Sequence, residues 1–252
     1  PKDGTVMALI NRGVPFEPLL GNKSAQFDPR QFNYIGSPDR DTIVAYVRTD
    51  GPVQKLSDLR TKELIVAATG SGADSLTYPI ILRDLFHLKL RIVQGYPGSR
   101  DMNLAVERGE AHGTFISYDT ALREPGLKDG SRRLLVQGRL APDPRIKDVP
   151  GLNDLDLSPA ERKAAEFFLL RADMGRPFVA PPGVPADRLA ALRKAFVETL
   201  KDATTQEDAG RQGLNVSLIT PEEQVKTLEA AYRFDEKTIE MVRITMQEAE
   251  KK

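Results

Sequence analysis

Hydrophobic and polar positions change period several times along the chain, and the densest alternation lies between Glu63 and Tyr118. Glu63-Leu-Ile-Val-Ala-Ala68 is uninterruptedly apolar after its first residue, the pattern of a strand covered on both faces. Thr69-Gly-Ser-Gly-Ala-Asp74 turns the chain, and Leu76, Ile80, Ile81, Leu85 and Leu88 then recur at helical spacing before Leu90-Arg-Ile-Val-Gln94 returns as a strand. A second unit of the same kind follows: a turn at Gly95–Ser99, a helix over Asp101–Arg108 stopped by Gly109, and a strand at Gly113–Ser117. Two consecutive strand–helix–strand units predict an α/β domain built on a parallel sheet.

The flanks are less regular. Tyr34-Ile-Gly36 and Thr42–Val47 are strand-like, with a helical turn at Leu56–Leu59. Residues 123–156 are rich in Pro, Gly and Asp and predict an irregular excursion holding one strand, Arg133–Gln137. A helix over Pro159–Phe168 precedes Arg176-Pro-Phe-Val-Ala-Pro-Pro-Gly-Val-Pro185, whose prolines force extended backbone. Pro185 opens a helix to about Lys201 with Leu189, Leu192, Phe196 and Leu200 on its apolar stripe. Thr220-Pro-Glu-Glu223 is a capping box. Because no Gly or Pro lies between Glu222 and Lys252, it predicts one long helix running nearly to the end, with frayed Lys and Glu at its tip.

Composition narrows the function classes. The 252 residues are 40% hydrophobic and 29% charged, enough for a sizeable core in one domain or two. Lys+Arg 36 balances Asp+Glu 36 without any basic cluster, so no phosphate-tracking surface and no nucleic-acid partner is expected. The absence of Cys removes disulfides, thiolate metal sites and cysteine nucleophiles. No metal or cofactor is expected, and no segment reaches the roughly 18 apolar residues of a membrane span.

The candidate chemistry gathers on turns that follow strands. Thr69-Gly-Ser-Gly-Ala-Asp-Ser75 lies at the carboxyl end of a strand and opens a helix, where α/β proteins offer backbone amides to anions. Glycines 70 and 72 permit close approach, and Thr69, Ser71 and Ser75 add hydroxyl donors; a plain glycine-rich turn with a Ser or Asp cap is the competing reading. A dinucleotide fingerprint is disfavoured, because Ser75 stands where its third glycine belongs and Gln94 replaces the acid at the end of the next strand. Ser71 is not in a nucleophile elbow, since Gly70 directly precedes it. His87 and His112 read as surface residues, and Glu107 and Glu110 as a solvated helix end. Arg100 opens the second helix and suits carboxylate recognition, and Tyr118, after the third strand, either closes over a ligand or anchors its turn.

Several short motifs carry a resemblance over essentially the whole chain. Pro1-Lys-Asp-Gly4 with a strand Thr5–Ile10, Phe27-Asp-Pro-Arg-Gln-Phe32, the strand and loop Val66–Ser75, Tyr96-Pro-Gly-Ser99 with Leu104-Ala-Val-Glu-Arg-Gly-Glu110, and Phe178–Pro185 together resemble the substrate-binding receptors of tripartite tricarboxylate transporters, the Bug or TctC-like proteins. The resemblance implies an α/β fold of the type II periplasmic binding protein kind, two lobes joined by crossover strands, and a carboxylate-bearing ligand between them. It places residues 1–43 and 170–252 in a first lobe and 44–169 in a second, with crossovers at Asp41–Val47 and Leu169–Ala180. The Thr69–Ser75 loop matches the family's ligand-gripping loop, and Asn11 matches a polar residue at the end of a first-lobe strand.

The family pattern begins with a further strand, glycine-rich loop and helices before the match to Pro1-Lys-Asp-Gly4, and that loop supplies half of its carboxylate grip. The expectation is therefore that the encoded protein extends upstream with such a segment and a signal peptide. The expected role is that of a non-catalytic, monomeric, periplasmic receptor passing a small mono- or dicarboxylate to membrane permease subunits. Its ligand-binding residues would be Asn11, Thr69, Gly70, Ser71, Gly72, Ala73, Asp74, Ser75, Arg100 and Tyr118. The alternatives are a small hydrolase using the Ser71 loop and a ligand-sensing partner of a signalling system.

Overall fold

The uninterrupted apolar runs become the strands of a five-stranded sheet. In a computed structural model that describes residues 1–249, the strands are β1 (Ala8–Leu9), β2 (Asn33–Gly36), β3 (Ile43–Arg48), β4 (Leu64–Ala67), β5 (Leu90–Val93), β6 (Gly113–Ser117), β7 (Arg132–Gly138) and β8 (Phe178–Ala180). The helices are α1 (Asp74–Ile80), α2 (Ser99–Glu107), α3 (Tyr118–Ala121), α4 (Pro125–Lys128), α5 (Pro159–Leu169), α6 (Ala186–Lys201), α7 (Ala203–Arg211), α8 (Pro221–Ala231) and α9 (Glu236–Ala249). The chain divides into two compact units, Pro1–Asp41 with Leu170–Asp235, and Thr42–Leu169 with Glu236–Lys252.

The second unit carries the sheet, in the order β5-β4-β6-β3-β7. Strands β4, β5 and β6 are parallel, as their connecting helices require, but β3 runs antiparallel to both β6 and β7. The sheet is thus mixed where the sequence predicted a parallel one. The reason is that β3 comes from the chain that enters this unit at Thr42 and not from a strand–helix–strand unit, so no crossover fixes its direction. Ile43–Val47 are all buried, which explains their unbroken apolar run.

Helix α1 illustrates how the local sequence shapes this unit. Leu76 and Ile80 pack on Ala68, with Ile92 and Met246 beside them. Pro79 lies inside the helix and removes one backbone donor; the chain continues as a π-helical turn over Ile81–Leu85. His87 then adopts a left-handed conformation, φ 54°. On the sheet-facing side Tyr78 stacks on Phe115, meets Phe168 edge-on, and donates its hydroxyl to the Gly138 carbonyl at 3.0 Å.

The first unit has a three-stranded sheet, β1-β8-β2, with β8 antiparallel to both neighbours. Strand β1 is only two residues long, shorter than the strand expected over Thr5–Ile10, and both residues are exposed. On one face Phe178, Leu189, Leu192 and Phe196 pack over Ile35, Ala180 and Val184. The capping box forms as expected: Glu223 N donates to Thr220 Oγ1 at 3.2 Å and Thr220 N donates to Glu223 Oε2 at 2.8 Å. Helix α7 is capped by Asp202 accepting from Thr205 N and buries none of its residues.

The single C-terminal helix expected from the capping box is instead two helices, α8 and α9, broken at Tyr232–Asp235. The break falls where the chain passes from the first unit to the second. Gln224, Leu228 and Ala231 are buried in the first unit, whereas Ile239 and Val242 belong to the second. These positions keep helical spacing across the break, so the sequence carries no sign of it. Residues 236–249, expected in the first lobe, pack on α1, α5 and the Ile81–Leu85 turn. The frayed tip expected at Glu250–Lys252 lies outside the described residues.

His112 is not the surface residue expected. It is half-buried, and its Nδ1 accepts from Ile65 N at 3.2 Å while its backbone N–H donates to Ile65 O at 2.7 Å, tying β4 to the start of β6. Burial, then Arg91 and Arg48, push its pKa down, and the accepting nitrogen must be unprotonated. The stability this carries is present above the ordinary histidine value of about 6.5 and declines as pH falls through it towards the lowered folded value. Urea denaturation across pH 5–8 should show this slope, and His112→Gln should flatten it. Gly138 allows a second check, because a Cβ there would lie 2.2 Å from the Tyr78 ring. Gly138→Ala should cost about 1–3 kcal/mol in the same assay.

Candidate functional site

The strand pairings of the second unit bring five chain segments to one edge of its sheet. Ile43 pairs with both Ser117 and Gly138, so the start of β3 lies beside the ends of β6 and β7, and the parallel strands β4 and β5 end on the same side. This carboxyl edge of the parallel strands is where open α/β sheets bind ligands.

The Thr69–Ser75 loop leaves this edge from β4. Its two ends are tied together: Thr69 N donates to Ser75 Oγ at 3.1 Å, and the two hydroxyl oxygens are 2.8 Å apart. Ser75 is buried and faces back into the loop, so it shapes the turn more than it presents a donor outward. Ala73 N donates to Gly70 O, and Ala73 O accepts from Leu76 and Thr77 as the helix begins. Gly70, Ser71 and Gly72 form an exposed tip. Gly72 needs its positive φ of 78°, whereas Gly70 does not, and a Cβ at either position would meet nothing within 4 Å.

Tyr118 is anchored in its turn and is not free to close over a ligand. It is buried, its N–H donates to Thr42 O at 2.7 Å, and the Arg145 guanidinium lies 4.8 Å over its ring. Arg145 also pairs with Asp119 at 2.8 Å and Asp143 at 2.7 Å. Burial would raise the Asp143 carboxyl, but Arg145 and the Thr42 hydroxyl, 2.6 Å away, hold it down at about 2. Arg139, immediately after β7, donates to the same Thr42 hydroxyl at 3.4 Å. Sequence reading missed Arg139, Asp143 and Arg145, which lie in the Pro- and Gly-rich excursion, and Thr42, which it read only as the start of a strand. The one available signal was Arg139 at the end of a predicted strand.

Arg100 is exposed in the first turn of α2 and lines a groove of about 470 Å³. Ser99, Asn103, Leu104 and Glu107 of the same helix, with Thr120 and Glu124, complete the lining, and no residue of the Thr69–Ser75 loop takes part. The buried floor is satisfied internally: Asn103 accepts from the Tyr46 hydroxyl at 2.5 Å and donates to Glu124, which Arg132 holds at 2.8 Å. Asn11 belongs to the first unit, where its Oδ1 accepts from Gly13 N at 2.8 Å in the turn after β1.

Both histidines lie at the opposite edge of the sheet from Ser71. His112 immediately precedes β6 and bonds to Ile65 near the start of β4, while His87 lies in the connection leading into β5. Among the described residues no group of His, Asp and Glu is arranged to hold a metal, and no helix is long and apolar enough to cross a membrane.

No family model and no curated protein matches the chain. Solved structures do. A TctC solute-binding protein from Polaromonas superposes with a TM-score of 0.69 at 14% identity, over 98% of this chain and 80% of that one. MatC from Rhodopseudomonas palustris, with bound malate, gives 0.64 at 17% identity over 98% and 80%. An R. palustris protein with adipate gives 0.66 at 18% over 96% and 79%. At such identities the likeness speaks for architecture, and the architecture it establishes is the two-lobe α/β fold of the TctC-type periplasmic solute-binding proteins.

Proposed function

We propose that the chain is an extracytoplasmic solute-binding protein that captures a small organic acid, a mono- or dicarboxylate, and passes it to the permease subunits of a tripartite tricarboxylate-type transporter. The observation that carries this reading is an open, glycine-tipped loop at the carboxyl edge of the second unit's sheet, in a fold shared with malate- and adipate-bound proteins. In this reading the exposed amides of Gly70–Gly72, with the Thr69 and Ser71 hydroxyls, receive one carboxylate. Ser75 holds the loop in shape, and the Thr42–Asp143–Arg145 network fixes the neighbouring strand ends. Glycine backbone suits this task because nothing projects between the amides and the ligand. Ligand capture closes such a protein by differential affinity for its closed form, with no bond made or broken.

Ser71 lacks a histidine at its edge of the sheet, which weighs against the hydrolase alternative. A periplasmic location and a transporter partner follow from the same family-level reading.

A thermal-shift titration with a panel of small carboxylates tests the proposal. Saturating ligand, at about 100 times its dissociation constant, adds roughly 2.7 kcal/mol, which at roughly 2–4 °C per kcal/mol is a shift of several degrees. Gly70→Val should leave the unliganded melting temperature unchanged, since its φ is ordinary and the space is open. It should weaken binding about tenfold or more by covering the amides, each charge-assisted bond being worth roughly 1.5–3 kcal/mol. A Gly70→Val protein that keeps the full ligand-induced shift would remove the loop from the site. Turnover of any acid in the panel would favour the enzyme reading instead.

A further inference from the structure

Within the first unit, the five residues Ser37–Asp41 form a strap that ends where the chain passes to Thr42. The strap is fastened along its length. Ser37 Oγ donates to Asp39 O at 2.8 Å and accepts from Arg176 N at 2.8 Å, while Ser37 N donates to Ile219 O and Arg40 N to Ser217 Oγ. Gly175, at φ 61°, lies so close that a Cβ would be 2.3 Å from Ser37 Oγ and 2.4 Å from Asp39 O. Arg40 is turned away to Glu223 of α8.

Two carboxylates on this strap share one guanidinium. Arg176 reaches Asp39 Oδ2 through Nε at 2.9 Å and Asp41 Oδ2 through Nη2 at 3.3 Å, and Arg12 meets Asp41 from the other side at 3.3 Å. Asp41 is almost wholly buried and pairs with both cations; Asp39 is half-buried and pairs with Arg176, and its Oδ1 is buried without a hydrogen-bond partner among the described residues. A half-buried carboxylate with one oxygen buried and unsatisfied, next to a second carboxylate, is a group for which taking up a proton relieves both desolvation and repulsion.

We propose that Asp39 is a proton-operated latch: protonated, it relieves the buried, unsatisfied oxygen and the repulsion from Asp41 and the strap closes tightly, and ionised, it restores both and the strap loosens. The groups that act on it are Arg176, Asp41 and Arg12. Arg40 is engaged with Glu223, and the Arg171 guanidinium of the Leu170–Met174 turn lies against Gly13. Burial, the largest influence, and Asp41 push the Asp39 pKa up, while Arg176 and Arg12 oppose them, and the net direction is upward. A raised carboxyl contributes stability that is fully present below the ordinary value of about 3.9 and lost as pH rises through the folded value. The strap is therefore tightest in acid, opposite to the His112 contact.

The latch is read without any ligand, so it stands or falls separately from the proposed function. Hydrogen exchange at the amides of Ser37, Asp39, Arg40 and Arg176, corrected for intrinsic rates, should show about threefold greater protection at pH 4.5 than at pH 7 in the wild type. Asp39→Asn, which cannot ionise, should show protection that is constant to within about 1.5-fold over the same range. Equal pH dependence in the two proteins overturns the proposal. If the variant does not fold, the 13C carboxyl titration of Asp39 in the wild type decides: a midpoint above about 3.9 supports the latch, and one at or below it refutes it.

Discussion

The buried strand β3 is the constraint on which the second unit depends. It is hydrogen-bonded on both sides, apolar on both faces, and antiparallel to its neighbours, so it must enter from the edge at which the parallel strands end. That entry point is Thr42, and the surrounding chemistry pins it in place. Its carbonyl accepts from Tyr118 N, and its hydroxyl lies 2.6 Å from Asp143 and 3.4 Å from Arg139. Burying five consecutive residues of the strand gains on the order of 1.5–3 kcal/mol for each large side chain. A slip of one residue would also take Thr42 away from Tyr118 N and from Asp143.

The same edge concentrates buried charge. Asp143, Arg145 and Asp119 form a connected set over Tyr118, and each member has its partners within hydrogen-bond reach. Such networks return little net stability compared with an apolar core, but breaking one member leaves an uncompensated charge. Their effect is to hold the strand ends in one arrangement around an exposed glycine loop. In the first unit Asp39, Asp41, Arg12 and Arg176 form a second set with one carboxylate oxygen left unsatisfied, which makes it responsive to protons where the Asp143 set is locked.

Much of the chain was legible from local pattern. The strand–loop–helix–strand order from Glu63 to Ser117, the glycine loop at a strand's carboxyl end and the Thr220 capping box each depend on neighbours within a few residues, and each is present. Of the named site residues, the structure holds Thr69–Ser75 together at one edge. It gives Tyr118 a supporting role, places Arg100 on a separate groove, and puts Asn11 in the other unit.

The sequence by itself determined most of the strands and the longer helices and where glycine opens the backbone, because periodicity, capping and φ preference are local. Tertiary structure decided the direction of β3, since an apolar run has no polarity until it finds partners. It decided the break between α8 and α9, whose apolar stripe continues unbroken through Tyr232–Asp235 while its two halves are buried in different units. It also decided that His112 is a hydrogen-bond acceptor for Ile65 and that Asp39 shares Arg176 with Asp41. Those pairings join residues 47 and 135–137 positions apart, and the energy of a buried polar group depends on its partners, which no local pattern records.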